Sequence, residues 1–109
     1  MIARIWTGTV RNADADEYAD YIRDTGLREY GETPGNRGAW MLRRDHGALT
    51  EFITLSLWDS EEAIRGFAGD DIEVAVYFPE DERFLVDRGG IRHYVVTAEI
   101  PPFGGPVAA

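Results

Sequence analysis

The chain has 109 residues, a formal net charge of −9, no cysteine and eleven basic residues, every one of them arginine. That length makes one domain able to bury about two thirds of its unfolded surface, and the missing residue types exclude disulfide frameworks, thiolate metal sites, cysteine nucleophiles and lysine Schiff-base chemistry. The acidic balance argues against nucleic acid and anionic membrane surfaces as partners, and the absence of a signal-peptide pattern or an apolar run of membrane-span length predicts a soluble, cytoplasmic protein.

Ile2 to Val10 is apolar and β-rich and predicts a first strand. Asp14 and Glu17 then have capping-box spacing, and Ala15, Tyr18, Ala19, Ile22 and Gly26 recur at helical spacing, so a helix is expected through Thr25 or beyond. Gly31, Pro34, Gly35 and Gly38 punctuate a loop, after which Ala39 to Arg44 supplies a second strand. Asp45-His46-Gly47 has the length of a hairpin turn and leaves His46 exposed at its tip.

The third strand, Leu49 to Trp58, carries Leu49, Ile53, Leu55 and Leu57 on one side and Phe52, Thr54, Ser56 and Trp58 on the other. Neither side is polar in the manner of a wetted face, so this strand is expected at the centre of the sheet, covered on both sides. The period then changes. Asp59 or Ser60 can cap a helix, Glu61 or Glu62 is near enough to reach back, and Ala63, Ile64 and Phe67 share a helical face. Asp70 and Glu73, again at capping-box spacing, predict a short helix over Ile72 to Phe78 that Pro79 ends, with a further irregular or helical turn to Val86. Asp87-Arg88-Gly89-Gly90 predicts a turn and Ile91 to Ile100 a last strand, stopped by Pro101-Pro102. Residues 1–100 form the expected domain, and 101–109 a Pro/Gly-rich tail.

The order strand, helix, strand, strand, helix, strand is that of a ferredoxin-like α+β fold, βαββαβ, a four-stranded antiparallel sheet with helices on one face. Three of the strands carry apolar residues on both faces, so the face without helices needs a partner, and a second copy related by a two-fold axis supplies it most simply. The acidic clusters fall where helices would start and act there as solvated helix N-termini. His46 and His93 are too far apart in sequence to form a metal site by spacing, so none is expected.

Three stretches, Met1-Ile2-Ala3-Arg4-Ile5-Trp6, Ser56-Leu57-Trp58-Asp59-Ser60-Glu61-Glu62-Ala63, and Tyr77-Phe78-Pro79-Glu80-Asp81 together with His93-Tyr94, resemble the antibiotic biosynthesis monooxygenase domain, a family of the dimeric α/β-barrel class. The resemblance implies a homodimer whose sheets form an α+β barrel, with a substrate pocket in each subunit between sheet and helices. It also implies oxidation of a small hydrophobic aromatic, a phenolic or quinol-like polyketide intermediate, by molecular oxygen without a cofactor. A branch of the family degrades heme. The tryptophan of the strand-to-helix passage lines the pocket in both branches, and Trp58 matches it. The heme-degrading pattern adds an asparagine on the first strand and a histidine after that tryptophan; Thr7 stands near the former position, and no histidine occurs between Trp58 and His93, so heme is not expected.

Oxygenation without a cofactor asks for deprotonation of an activated aromatic, a dry pocket and polar groups that stabilise the anion. Of the two histidines His93 is the better base, since it lies in an apolar strand where burial and a neighbouring arginine can tune it; a lone strand histidine is more often a hydrogen-bonded core or interface residue. Trp58 is either a pocket wall or a core plug. Phe52 and Thr54 share its side of the strand, and with Thr7, Tyr77, Tyr94 and Arg92 they are the candidates for substrate contact, each open to a packing or surface role. Ser56 and Ser60 are the only serines and Ser60 is the expected cap, which leaves no nucleophilic triad. The function expected is therefore a cofactor-independent monooxygenase. A non-catalytic dimeric module that binds a small ligand or accompanies a biosynthetic enzyme is its alternative, with heme binding third.

Overall fold

A computed structural model describes residues 1–100; the expected tail lies outside the described residues. Strand β1 (Ile2–Arg11) pairs antiparallel with β3 (Leu49–Trp58) on one side and β4 (Leu85–Val95) on the other, and β2 (Asn36–His46) adds to the free side of β3, giving the order β2-β3-β1-β4. The strand expected at the centre is an inner one. Along β1 and β3 burial alternates residue by residue: Arg4, Trp6, Gly8 and Val10, and Thr50, Phe52, Thr54, Ser56 and Trp58, are buried, while their neighbours are half-buried. One face is thus covered and the other is not.

The cover is a helical rod formed by α1 (Ala15–Ile22), a π-helical turn (Arg23–Leu27) and α2 (Arg28–Glu32), joined without a break in helical backbone. It continues well past Thr25 because Leu27 and Tyr30 prolong the apolar face laid down by Ala15, Tyr18 and Ile22. Gly31, expected in a loop, is therefore helical. Asp14 does not cap: a 3₁₀ turn at Asn12–Asp14 precedes the rod, the backbone of Asp14 is already helical, and its carboxylate faces Arg11 at 3.8 Å. Helix α3 (Glu61–Ala68) does start on its expected cap, with the amide of Ala63 donating to Ser60 Oγ at 3.2 Å. The third helical position is Ala63 itself, so neither glutamate closes a box. A short α4 (Asp81–Phe84) precedes β4.

Three further expectations are corrected. Residues Ile72 to Phe78 form no helix, because the carbonyls of Ile72 and Val74 accept from the Arg4 guanidinium and the Asp71 carboxylate caps the amide of Glu73 instead. Asp87 to Gly90 is not a turn. It lies inside β4, where the ladder passes from Thr7↔Gly90 to Gly8↔Arg88 and leaves Gly89 as an extra residue pressed against Thr7, with no room for a Cβ. That bulge lets β4 begin at Leu85, and the strand ends at Val95 rather than Ile100. The β2–β3 hairpin turns one residue later than expected, at Gly47-Ala48, with Gly47 at φ +64°.

The core has two parts: Trp6, Val10, Tyr18, Ile22, Phe52 and Phe84 at one end, and Tyr30, Trp58, Ile64 and Ile72 at the other. Among the described residues no helix is long and apolar enough to cross a membrane.

Candidate active site

Strand β1 alternates, so Arg4 and Trp6 both point from the sheet toward the helices, one strand step apart. Between them and the rod lies a cavity of about 40 Å³. Thr54 and Ile91 complete its sheet side, Tyr18, Ile22 and Tyr30 its rod side and Phe67 its α3 side, while Val76 and Phe78 come from the irregular stretch 69–80 that straps across. As it stands, the space would hold about two or three water molecules.

Arg4 is 1% exposed, and among the described residues no carboxylate forms an ion pair with it. Its guanidinium donates to the carbonyls of Ile72 (2.5 Å) and Val74 (3.2 Å) and lies 2.9 Å from His93 Nε2. Burial lowers its pKa, opposed by Tyr30 and Glu73, yet an arginine stays charged. A buried charge without a counter-charge costs several kcal/mol, about the scale at which structures supply a partner. Two donors on this wall have no acceptor, Arg4 Nε and Trp6 Nε1.

Farther along the wall, Tyr18 donates to Asp81 Oδ1 at 2.7 Å, and the amide of Phe78 donates to Oδ2 at 2.6 Å. Burial and then the Asp81 carboxylate push the Tyr18 phenol far above its ordinary pKa, so Tyr18 remains the donor of this pair. The Tyr30 hydroxyl lies 3.0 Å from Thr54 Oγ1, and burial raises its pKa as well.

The residues singled out in the sequence are scattered by the fold. Thr54 is on the cavity wall. Trp58 is fully buried in the second core cluster, edge-on to Tyr30 with centroids 6.0 Å apart, and its indole donates to Ser56 Oγ at 2.9 Å; it plugs the core beside the cavity. Phe52 packs against Tyr18 in the first cluster. His93, with 13% of its side chain exposed, stands behind Arg4. Burial and then the Arg4 charge lower its pKa, and Glu73 Oε1, 3.5 Å from Nδ1, opposes them. Thr7, Arg92 and Tyr94 fall on the uncovered face by strand register, and Tyr77 is exposed beneath the Arg88 guanidinium, 4.4 Å from its ring centroid.

Arg4, Trp6, Tyr18, Tyr30 and Asp81 line the cavity and were not among the residues singled out in the sequence. A signal for the first was present, an arginine in an otherwise apolar strand and in phase with a tryptophan. Neither histidine is placed as an axial ligand at this cavity: His93 offers Nε2 to Arg4, and His46 is exposed on the hairpin. Among the described residues no group of histidine and carboxylate side chains is placed to hold a metal ion.

No family model and no curated protein matches the sequence. Solved structures do match in fold. A Bacillus cereus protein provisionally assigned as an antibiotic biosynthesis monooxygenase superposes with a TM-score of 0.65 at 15% identity, over 93% of this chain and 97% of that one. A NIPSNAP domain protein from Burkholderia xenovorans gives 0.61 at 19% identity, over 94% and 100%. The heme-degrader MhuD from Mycobacterium tuberculosis, solved with two hemes in its active site, gives 0.60 at 15% identity, over 93% and 100%. At these identities the likeness speaks to architecture, and the chain shares with these structures a ferredoxin-like α+β fold.

Proposed function

We propose that the protein oxidises a small aromatic phenol or hydroquinone with molecular oxygen, and that the substrate itself supplies the electrons. The observation that carries this reading is the buried Arg4 cation, without a carboxylate partner, on the wall of a cavity otherwise lined largely by aromatic and aliphatic side chains. A fixed positive charge in a dry site favours the ionised form of an aromatic bound there, and an electron-rich phenolate is the form that reacts with oxygen. In the balanced reaction the substrate gives up two hydrogens, one oxygen atom enters a ring carbon as a carbonyl, and the other leaves as water. Asp81, on the same wall, takes the phenolic proton; Tyr18 and the Phe78 amide hold its two oxygens in place and leave each a free lone pair. His93 acts through Arg4, since its acceptor nitrogen already faces that guanidinium.

The same reading makes the protein a homodimer joined by the uncovered sheet faces, supported by the exposure of Trp40 (45%), Leu42 (48%) and Tyr94 (50%) on a face that also carries Ile5, Ile53, Leu55 and Leu57. A second reading is a binding module without chemistry; in either reading the cavity admits its ligand only if the strap moves. Oxygen-electrode traces on a panel of naphthols and hydroquinones, corrected for autoxidation, decide between them. The expected result is uptake by the protein alone, cut about 10²-fold or more by Asp81→Asn. Background rates across the panel leave the binding module.

A further inference from the structure

We infer that the ligand of this cavity is a hydroxyaryl carboxylate, whose carboxylate binds Arg4 Nε and Trp6 Nε1 while its hydroxyl faces Asp81; the inference rests on the reading of the cavity as the substrate site and names the substrate class. The cavity wall shows an imbalance. Arg4 and Trp6 are both more than nine-tenths buried, both line the space, and each has an N–H with no acceptor. Buried donors in native folds are almost always satisfied, so orphans on two residues that line one cavity mark the place of an absent acceptor. Two such donors on the lining of one space suit an acceptor with two oxygens. Because one donor belongs to a guanidinium that lacks a carboxylate partner, the acceptor that also balances charge is an anion.

The remaining wall fixes what the anion is attached to. Ile22, Phe67, Val76, Phe78 and Ile91 offer apolar surface and no further unpartnered donor, which excludes a multiply charged group such as a phosphate and suits a flat hydrocarbon ring. The Tyr18–Asp81 pair, on the same lining, offers the ring's hydroxyl a hydrogen-bond acceptor. Room for the ring comes from Val76 and Phe78, which belong to the stretch 69–80 and are held by Arg4 and Asp81 rather than by a helix or strand ladder. The carbonyls of Ile72 and Val74 occupy the terminal nitrogens of Arg4 and leave Nε for the carboxylate, while the ring displaces Val76 and Phe78, so binding and opening are one event.

Isothermal titration at pH 7.5 with 4-hydroxybenzoate, phenol and the neutral isostere 4-hydroxybenzamide tests this without any oxygen chemistry. The acid is expected to bind at least about tenfold tighter than the phenol and the amide, the scale of one charge-assisted hydrogen bond. Arg4→Gln should bring the acid-to-amide ratio to about one. Trp6→Phe, which keeps the ring and deletes only the N–H, should reduce that ratio and stands in should Arg4→Gln fail to fold. Equal affinities for acid and amide, no binding of the acid, or a preference that survives both variants would overturn the inference. Oxygen uptake with neutral hydroquinone alongside equal affinities would overturn it while leaving the oxygenase reading intact; an acid preference without uptake on any hydroxyaryl acid would do the reverse.

Discussion

The two faces of the sheet are built from the same strands and differ in an instructive way. The covered face holds Arg4, Thr50, Thr54 and Ser56 among its aromatics, each buried, whereas the uncovered face presents Ile5, Ile53, Leu55, Leu57, Trp40 and Leu42. The uncovered face pairs its apolar residues with polar ones such as Thr7, Arg44, Glu51 and Arg92, while the face that the chain's own helices bury carries polar groups under cover. A hydroxyl or guanidinium is tolerated there because the chain supplies a local partner: Tyr30 for Thr54, Trp58 for Ser56, and the strap carbonyls for Arg4. On the uncovered face the charged groups stay in solvent, as Arg44 does beside Glu51 at 3.3 Å, and the apolar residues between them have no cover from the chain's own helices. The proposed chemistry is assigned to the covered face and the proposed association to the uncovered one.

Substitution at the covered face should show the largest effect. Trp58→Ala is expected to lower unfolding free energy in urea by about 3–5 kcal/mol, since it empties the centre of the second cluster. A loss below about 1 kcal/mol would mean that this face is not the core.

Removing one hydroxyl should cost less. Tyr18→Phe leaves the Asp81 carboxylate buried without one of its two donors, and a stability loss of about 1–3 kcal/mol is expected from the same measurement.

The uncovered face should respond in association rather than in the fold of each chain. Light scattering at low micromolar concentration is expected to give about twice the 12.2 kDa chain mass, and Leu42→Glu, which puts a charge in the middle of the contact, should shift it to the single-chain value. A clean monomer in the unsubstituted protein would end the two-face distinction.

A smaller effect is expected from pH. His93 is held below its ordinary pKa by burial and the Arg4 charge, so the unfolded chain takes up its proton at a higher pH than the native one. The sign follows: this contribution is present above the unfolded value of about 6.5 and is lost as pH falls through it toward the lowered native value. Thermal unfolding followed from pH 7.5 to 5 should therefore show a slope that His93→Gln reduces. Glu73 and Glu61 oppose the shift, and an unchanged slope would mean that they cancel it.

The least change is expected with hemin, which should produce no Soret band of axial imidazole ligation, because neither histidine reaches the cavity.

From sequence alone, the strands of β1 and β3, the order of elements, the Ser60 cap and the apolar character of both sheet faces were legible, since each rests on residues within a few positions of one another. Which face the helices cover was not, because a period of two describes both faces equally well, so Thr7, Arg92 and Tyr94 were as eligible for the site as Thr54. Local spacing also misread the stretch 72–78 as helix: its carbonyls are claimed by Arg4, 68 positions away from Ile72, and no window along the chain contains both partners. The site has the same character. Arg4, Trp6, Tyr18 and Asp81 come from the first strand, the first helix and the segment before the last strand, and only the closing of the rod and strap over the sheet turns an isolated arginine in an apolar strand into an uncompensated charge beside a cavity.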